Sequence, residues 1–375
     1  MLTRRSWTLA VVLALLVAAC GPTPAPPATE APAVQPATAP AAEPTQAPAE
    51  EVVTLEFWNG FNAHEVDSLN KMIEKYWAPS HPNIKINAKG ETSPESILTA
   101  ISGGTPPDVA ILWDAYPVTL WARQGAIMDL TPHIEAAKLN MDETFVPAGL
   151  AWTQYKGHYY GLPFVNFNNG LYWNKALFRE AGLDPDKPPQ TIAEVEEYAR
   201  KLTKVADSGE ITQLGWMPIS SPTDLAMSFG GKFYDPATGK ITANDPKIVE
   251  SLTWDLTMAQ EYGLEKVNNF MSGFQQGGGD HPFFLGKVGM AIMGCWQVTF
   301  IKEYHPNLEY GVGLIPASDP AYARSNNVGT NPIVIPKGTK HPEEAWEFAM
   351  FLSTSPDISR EFADLISNIP HVKTA

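Results

Sequence analysis

Apolar and polar positions follow two alternating periodicities along the first half of the chain. Dense apolar runs predict strands over residues 52–58, 84–88 and 108–113. Between and after them, apolar residues spaced three and four apart predict helices, of which 65–77 and 94–102 are the clearest. A strand–helix–strand–helix–strand order at this spacing indicates parallel βαβ units with right-handed crossovers. The pattern therefore predicts an α/β fold.

The middle of the chain contains a long extended run over 162–173 that is interrupted by amides. Asn166, Asn168 and Asn169 are unusual for a core strand and typical of a chain that crosses between two lobes. Thr191 and Glu194 form a capping box that opens a helix to about residue 205. The other predicted elements are a helix at 117–124, strands at 211–216, 288–293, 310–315 and 328–335, and helices starting at 245–246 and covering 342–352 and 356–366.

The N-terminus has the layout of a secretory signal. Arg4 and Arg5 precede an apolar run over 9–19, which is too short to cross a bilayer, and small residues lead up to Cys20. This arrangement resembles the lipobox of bacterial lipoproteins, in which the cysteine carries the lipid; the alternative is an ordinary cleaved signal. Residues 21–50 are almost entirely Pro, Ala, Thr, Gln and Glu, a composition that cannot form a core. We predict a signal peptide over 1–19 and a lipid-anchored linker over 20–50.

Composition restricts what the remaining residues can do. The chain beyond the linker is long enough for two domains, and the formal charge of the full sequence, −15, argues against nucleic-acid binding. The two cysteines are Cys20 and Cys295, so lipidation of the first excludes an internal disulfide. We expect Cys295 to act as a small buried hydrophobe, with a reactive thiol as the less favoured alternative.

No catalytic or metal-binding motif is present in complete form. His64-Glu65 lacks the second histidine of a zinc helix, and the glycine-rich run 277–280 lacks the Lys-Ser/Thr of a phosphate-binding loop. A pair of acids for sugar hydrolysis remains open, because their separation is a three-dimensional property. We expect no cofactor, no metal and no enzymatic activity.

Aromatic and amide residues at strand ends form the candidate binding site. Trp58-Asn59 and Phe61 follow the first strand, and Trp113-Asp114 follow the third. Ligands of open α/β sheets bind outside the carboxyl ends of the strands. A flat ring can cover the apolar face of a sugar while amides and carboxylates bind its hydroxyls. Packing in the core is the alternative for each tryptophan.

Several segments together resemble the extracellular sugar-binding proteins of bacterial ABC importers, in the group of maltose- and glycerol-3-phosphate-binding proteins. The matching segments are 54–60, 74–86, 104–109, 161–164, 172–178, 286–296 and 335–340. The resemblance implies a type II periplasmic-binding-protein fold, with two lobes that each contain a mainly parallel sheet flanked by helices and that close over a ligand. It implies lobe one at 52–163 and 288–325, and lobe two at 164–287 and 326–375.

The resemblance also extends the set of ligand-binding residues across both lobes. The complete predicted set is Trp58, Asn59, Phe61, Glu95, Trp113, Asp114, Phe164, Asn166, Trp216, Gly230, Gly231, Trp296 and Asn331. Glu95 falls where relatives often carry an acid, although Pro94 replaces their usual aromatic residue. Relatives usually continue for several helices after the segment matching 368–373, so the sequence is either a compact variant or a fragment.

The function implied by the resemblance is that of a monomeric, exported and lipid-anchored receptor. It would capture a mono- or oligosaccharide, or a related polyol or glycerophosphodiester, and deliver it to the permease subunits of an ABC importer. Two alternatives remain: an exported carbohydrate-active enzyme with a carboxylate pair in the same cleft, and a sensor that presents its ligand to a membrane kinase.

Overall fold

A computed structural model of the chain describes residues 52–218, 220–235, 237–275 and 278–375. The predicted signal peptide, the linker and Cys20 lie outside these residues. The strands, in chain order, are β1 (Val53–Asn59), β2 (Ile84–Lys89), β3 (Val109–Ile111), β4 (Gln154–Tyr155), β5 (His158–Tyr159), β6 (Leu162–Asn174), β7 (Lys204–Val205), β8 (Ile211–Trp216), β9 (Tyr234–Asp235), β10 (Lys240–Ile241), β11 (Val288–Gly294), β12 (Tyr310–Gly313), β13 (Val328–Val334) and β14 (Ile369–Pro370).

The helices alternate with these strands and cover the faces of the sheet. They are α1 (Ala63–Tyr76), α2 (Pro94–Ser102), α3 (Tyr116–Gln124), α4 (Thr131–Ala136), α5 (Met141–Thr144), α6 (Pro147–Leu150), α7 (Lys175–Glu180), α8 (Ile192–Leu202), α9 (Pro222–Ser228), α10 (Pro246–Gln260), α11 (Leu264–Ser272), α12 (Gln297–Tyr304), α13 (Pro342–Thr354) and α14 (Pro356–Leu365).

Local capping determines where several helices begin. Thr191 caps α8, and the side chain of Glu194 accepts a hydrogen bond from the Thr191 amide, so the predicted capping box is confirmed. Asp245 caps α10 through the Lys247 amide at 2.8 Å, and proline occupies the first helical position. These contacts satisfy amides that the first turn of a helix leaves without partners.

One long strand connects two halves of the sheet. The strand order is β2-β1-β3-β13-β6-β11-β8-β7, and β12 and β14 also pair with β6. The first half of β6 pairs with β13 and β14, and its second half pairs with β11 and β12. Pairing is parallel within β2-β1-β3 and between β8 and β11, and antiparallel where β6 and β13 join. The predicted α/β two-lobed fold is confirmed, with mixed sheets.

Lobe one has a core built by both ends of the described chain. Phe57 of β1 packs edge-on against Phe348 of α13 with ring centroids 5.3 Å apart. Phe61 packs in the same way against Phe362 of α14 at 4.9 Å. Burial of each ring contributes roughly 1.5–3 kcal/mol, so α13 and α14 are integral to this lobe.

Lobe two has its own buried apolar clusters, whose members all lie within residues 171–315. Met290 and Ile292 of β11 pack with Val195 of α8 and Trp216 of β8. The other face of β11 packs on Phe283 and its neighbours.

The lobe boundaries implied by the resemblance are therefore wrong in two segments. Residues 288–325 belong to lobe two, because β11 and β12 pair with the second half of β6. Residues 333–375 belong to lobe one, because β13 pairs with β3 and the last two helices bury their phenylalanines there. Strand pairing between distant segments determines both assignments.

Within the described ranges, no helix has the length and apolar character needed to cross a membrane.

Two buried histidines are held neutral by their surroundings. His371 is fully buried, with Nε2 2.8 Å from the Ser353 carbonyl oxygen and Nδ1 3.1 Å from Ser359 Oγ. Burial lowers the pKa of His371 to about 3. His281 accepts a hydrogen bond from the Phe283 amide at Nδ1, and burial lowers its pKa to about 4. Each ring resists protonation in the folded state.

Because of these two rings, we expect the protein to lose stability at a pH higher than that at which its carboxylates are protonated. The unfolded state takes up these protons near pH 6.5, whereas the folded state does so only near pH 4 or 3. Stability is thus unaffected above about pH 7 and decreases as the pH falls below about 6.5, by about 2 kcal/mol per histidine at pH 5. Urea unfolding at pH 7.5 and 5.0 measures this loss.

The variant His371→Gln removes the contribution of one histidine to this loss of stability. His64→Gln, at the exposed start of α1, is its control. We expect His371→Gln to reduce the difference between the two pH values and His64→Gln to leave it unchanged. Equal differences in both variants would contradict the assignment.

Candidate functional site

The strands of lobe one end at the level where the chain crosses to lobe two. Asn59, the last residue of β1, lies opposite Ile111 of β3. Ile111 lies in turn opposite Ile333 of β13. The carboxyl ends of two parallel strands therefore meet a crossing strand, in the arrangement that places ligands at the edge of α/β sheets.

Hydrogen bonds extend this edge to β6. The Leu112 amide donates to the Pro332 carbonyl oxygen at 3.0 Å, so the residues after β3 lie beside Asn331. Thr330 of β13 lies opposite Asn166 of β6. The predicted site residues that the register brings to this edge are Asn59, Trp113, Asp114, Asn166 and Asn331.

The lobe-one wall of the cleft is an exposed tryptophan packed on backbone. Trp113 is 49% exposed, and a Cβ at Gly60 would lie 3.1 Å from its ring, so the glycine allows this close approach. Asp114 accepts a hydrogen bond from the Tyr116 amide at 3.2 Å, and Tyr116 is itself 58% exposed. Glu95 is exposed in the first turn of α2. The wall thus offers aromatic faces and carboxylates.

Trp58 occupies a different position from Trp113. It is half-buried, and the Lys89 ammonium lies 4.1 Å above its ring. This cation–π contact covers one face of the ring, so Trp58 is less available for stacking than Trp113.

Near this edge, the described residues include buried amides with atoms that have no hydrogen-bond partner. Of the seven such polar atoms among the described residues, five lie on Asn59, Asn166, Gln297 and Asn326. Asn166 has neither its oxygen nor its nitrogen paired, and Asn331 beside it is also buried. Each unpaired buried group costs about 1–3 kcal/mol, which a polar ligand or water recovers by bonding to it.

The lobe-two wall at the crossing is a second tryptophan. Trp296 is half-buried and meets the edge of the Phe167 ring, with centroids 5.6 Å apart. A Cβ at Gly294 would lie 2.0 Å from the Trp296 ring, and one at Gly329 would lie 2.2 Å from the Phe167 ring. Two glycines therefore allow this aromatic pair to lie against the crossing strands.

The predicted Gly230–Gly231 loop is confirmed as a turn after α9. Gly230 has a φ of +87°, and the ring of Tyr322 lies where its Cβ would be. A Cβ at Gly231 would lie 2.7 Å from Ile248. Both glycines serve close packing, and their amides donate to the Met227 and Ala226 carbonyl oxygens at 2.9 Å, so they are not free for a ligand.

Three predicted site residues lie in the cores, which contradicts their assignment to the cleft. Phe61 and Phe164 pack against Phe362 in lobe one. Trp216 is 5% exposed, and its Nε1 donates to Asp255 at 2.8 Å inside lobe two. Each ring is covered by helices that follow later in the chain, so its position next to a strand end does not expose it.

Two residues near the crossing were not predicted. Trp152 is 39% exposed, and its Nε1 donates to the Val328 carbonyl oxygen at 2.8 Å, which fixes the ring beside the start of β13. Asp224 is buried near the crossing in lobe two and bonded to both crossing segments. The sequence offers one indication of these two residues: Trp152 stands between small and polar residues, which is typical of an exposed tryptophan.

Reactive groups are scarce at this edge. The described ranges contain no cluster of three or more His, Cys, Asp or Glu side chains able to hold a metal. Cys295 donates from its thiol to Asn368 Oδ1 at 3.3 Å, and burial raises the pKa of that thiol. A raised pKa disfavours the thiolate, which agrees with a structural role.

The family described as bacterial extracellular solute-binding protein matches residues 62–357 of the chain. The maltotriose-binding protein of Pyrococcus abyssi is 24% identical over 320 residues, which are 84% of this chain and 65% of that relative. The chain thus spans less than two thirds of that relative's length.

Two solved structures of one protein also resemble the chain. CpMnBP1 with mannobiose bound has a TM-score of 0.76 and 32% identity, covering 87% of this chain and 84% of its own. The same protein with mannotriose bound gives a TM-score of 0.76 and 33% identity, covering 86% and 83%.

The unpaired amide of Asn166 predicts an unusual response to mutation. We expect Asn166→Val to leave the midpoint of thermal unfolding unchanged or to raise it, because the variant removes two unsatisfied polar atoms. Asn174→Val in the same strand is the matched control, since buried Asn174 caps α7 through the Leu177 amide at 3.1 Å. Loss of that cap is expected to cost about 1 kcal/mol. Equal destabilisation by both variants would contradict the unpaired state of Asn166.

Proposed function

This chain belongs to the bacterial extracellular solute-binding proteins, and on that premise we propose that it captures a carbohydrate between its lobes for an ABC importer. The bound receptor would then dock on the permease subunits, and the ATPase that drives transport would be a separate protein. The proposal treats the chain as a monomeric receptor without enzymatic activity.

The observation that carries the proposal is the concentration of unpaired buried amides between the exposed Trp113 and the half-buried Trp296. Asn59 presents a donor and Asn166 a donor and an acceptor without protein partners, and Trp113 and Trp296 lie on either side of the crossing. A pyranose has the complementary chemistry, with hydroxyls around its edge and C–H groups on its faces. Each hydrogen bond to a buried amide would add roughly 1 kcal/mol, and a ligand lacking that hydroxyl would leave the amide unpaired.

Neutral oligosaccharides fit this surface better than glycerophosphodiesters do. A phosphodiester requires cationic donors, and among the described site residues named above only Lys89 is a cation, already placed over Trp58. The similarity to a protein solved with mannobiose and mannotriose makes short mannose oligomers the first candidates. Several aromatic residues along the edge, including Trp152, favour more than one sugar ring.

Binding would be coupled to closure of the lobes. Trp113 lies on lobe one, whereas Trp296 lies on lobe two beyond the crossing strands. A sugar that touches both walls binds the closed form more tightly and shifts the population toward it.

We therefore expect a short oligosaccharide to stabilise the protein against heat. Titration calorimetry and thermal unfolding with mannobiose, mannotriose, maltotriose, polyols and glycerophosphodiesters test this. Absence of binding by all of them would overturn the proposal, and turnover of any oligosaccharide would instead support a carbohydrate-active enzyme.

Tryptophan variants test where the protein holds whichever compound of that panel it binds. Trp113→Ala and Trp296→Ala should each weaken binding about tenfold or more, as expected for central aromatic contacts. Trp216→Phe is the control, because its indole donates to Asp255 in the core. It should lower thermal stability and retain the affinity. Equal weakening by all three variants would contradict the placement of the cleft.

We also propose that Cys20 carries a lipid and that residues 20–50 tether the receptor near its permease. The extracellular family agrees with a signal peptide over 1–19. In cells, incorporation of a fatty-acid analogue is expected in the wild-type chain and lost in Cys20→Ser. Unchanged incorporation in that variant would exclude this anchor.

A further inference from the structure

One carboxylate in lobe two contacts both segments that cross between the lobes. Asp224 lies in the first turn of α9 and is 1% exposed. Its Oδ2 accepts from the side-chain amide of Asn169 in β6, and its Oδ1 accepts from the Asn327 amide just before β13 at 2.8 Å. Ser221 Oγ also donates to Oδ2, at 2.6 Å. Each crossing segment therefore supplies one donor to the same side chain.

The hydrogen-bond donors that the structure places on Asp224 are all neutral. Among the described residues, no Lys, Arg or His forms an ion pair with it. A buried carboxylate is tolerated only while its oxygens keep their hydrogen bonds. Displacing either crossing segment would remove a donor, so these contacts resist separation.

Further bonds join the crossing segments to each other and to lobe two. The side-chain amide of Asn326 donates to the Asn169 carbonyl oxygen. The Cys295 amide donates to the Asn168 carbonyl oxygen at 3.0 Å. Residues 168–169 and 326–327 are thus fixed to lobe two as one unit.

The same strands are held to lobe one only a few residues away. The Pro163 carbonyl oxygen accepts a hydrogen bond from Ser353 Oγ at 2.5 Å. Val165 and Asn166 pair with β14, and Thr330 Oγ1 donates to the Val165 carbonyl oxygen at 3.1 Å. On β6, Phe167 lies between the two sets of contacts, opposite Gly329. On β13, the lobe-one contacts reach Val328, whose carbonyl oxygen accepts from Trp152 Nε1 at 2.8 Å.

We propose that Asp224 is the positioning residue of the interlobe hinge. Its carboxylate fastens both crossing segments to lobe two and confines bending to the few residues around the Phe167–Gly329 pair, 166–168 in β6 and 327–330 at the start of β13. The two strands then move together, and the Trp296 wall keeps its orientation relative to them through the contact with Phe167.

The consequence for binding rests on the proposed function. If a sugar is held between the walls, loosening the hinge broadens the ensemble of open forms, and the closed form is populated less often. Apparent affinity falls by the same factor as that population. Asp224 would then set affinity without touching the ligand.

Hydrogen–deuterium exchange of the full chain, without ligand, tests the hinge directly. In Asp224→Asn one carboxylate oxygen is replaced by an NH2 group that faces other donors. We expect amide exchange to become about tenfold faster in peptides covering 166–170 and 326–330, and to stay unchanged in β1.

Asp255→Asn is the matched control, because Asp255 is also a buried carboxylate of lobe two and bonds to Trp216. It should lower thermal stability without selective acceleration in the two crossing peptides. Unchanged exchange in Asp224→Asn, or the same pattern in both variants, would overturn the proposal.

If Asp224→Asn does not fold, Asn169→Ala removes one donor only. It should accelerate exchange in 166–170, and unchanged exchange there would overturn the proposal. Mannotriose affinity is measured in parallel, with a loss of about fivefold expected in the Asp224 variant through faster dissociation. Failure of the wild-type protein to bind any sugar would refute the proposed function, while the exchange data still decide the role of Asp224.

Discussion

Strand β6 supplies hydrogen bonds to two sheets, and the arrangement of both lobes depends on this sharing. Its first half pairs with β13 and β14, and its second half pairs with β11 and β12. Neither sheet is complete without its half of the strand. The lobes must therefore meet along the middle of β6, and the carboxyl ends of β1 and β3 face that line. Strand pairing thus determines where the two lobes meet, which is where we propose the cleft to lie.

The same strand shows how one residue type serves stability and recognition in different places. Asn174, at its end, caps α7, and its amide has a partner. Asn166, near its middle, is equally buried and has none. A protein gains nothing for its own stability from an unpaired amide, since burying it costs free energy that the fold must offset elsewhere. That cost is understandable where an external molecule supplies the missing partners.

Features that depend on neighbouring residues could be predicted from the sequence. The capping box at Thr191 and Glu194 and the Asp245-Pro246 helix start are local, and both are confirmed. The position of Asn59 and Trp113 at the carboxyl ends of β1 and β3 could also be predicted, whereas their contact with a ligand stays a prediction. Trp216 is also at the end of a strand, β8, yet it is buried because α10 contributes Trp254 and Asp255 beside its ring.

Features that depend on distant segments could not be predicted in the same way. The assignment of α13 and α14 to lobe one rests on contacts such as that between Phe57 and Phe348, which no local pattern encodes. Asp224 is a further example, because its role appears only when Asn169 and Asn327 converge on it. Since no cation in the described part of the chain pairs with it, the buried Asp224 carboxyl group depends on these donors, so it couples the two crossings. Since Phe167 packs between Gly329 and Trp296, any bend at that pair moves the second wall of the cleft relative to Trp113. The contacts that define the hinge thus also determine how the two aromatic walls approach each other.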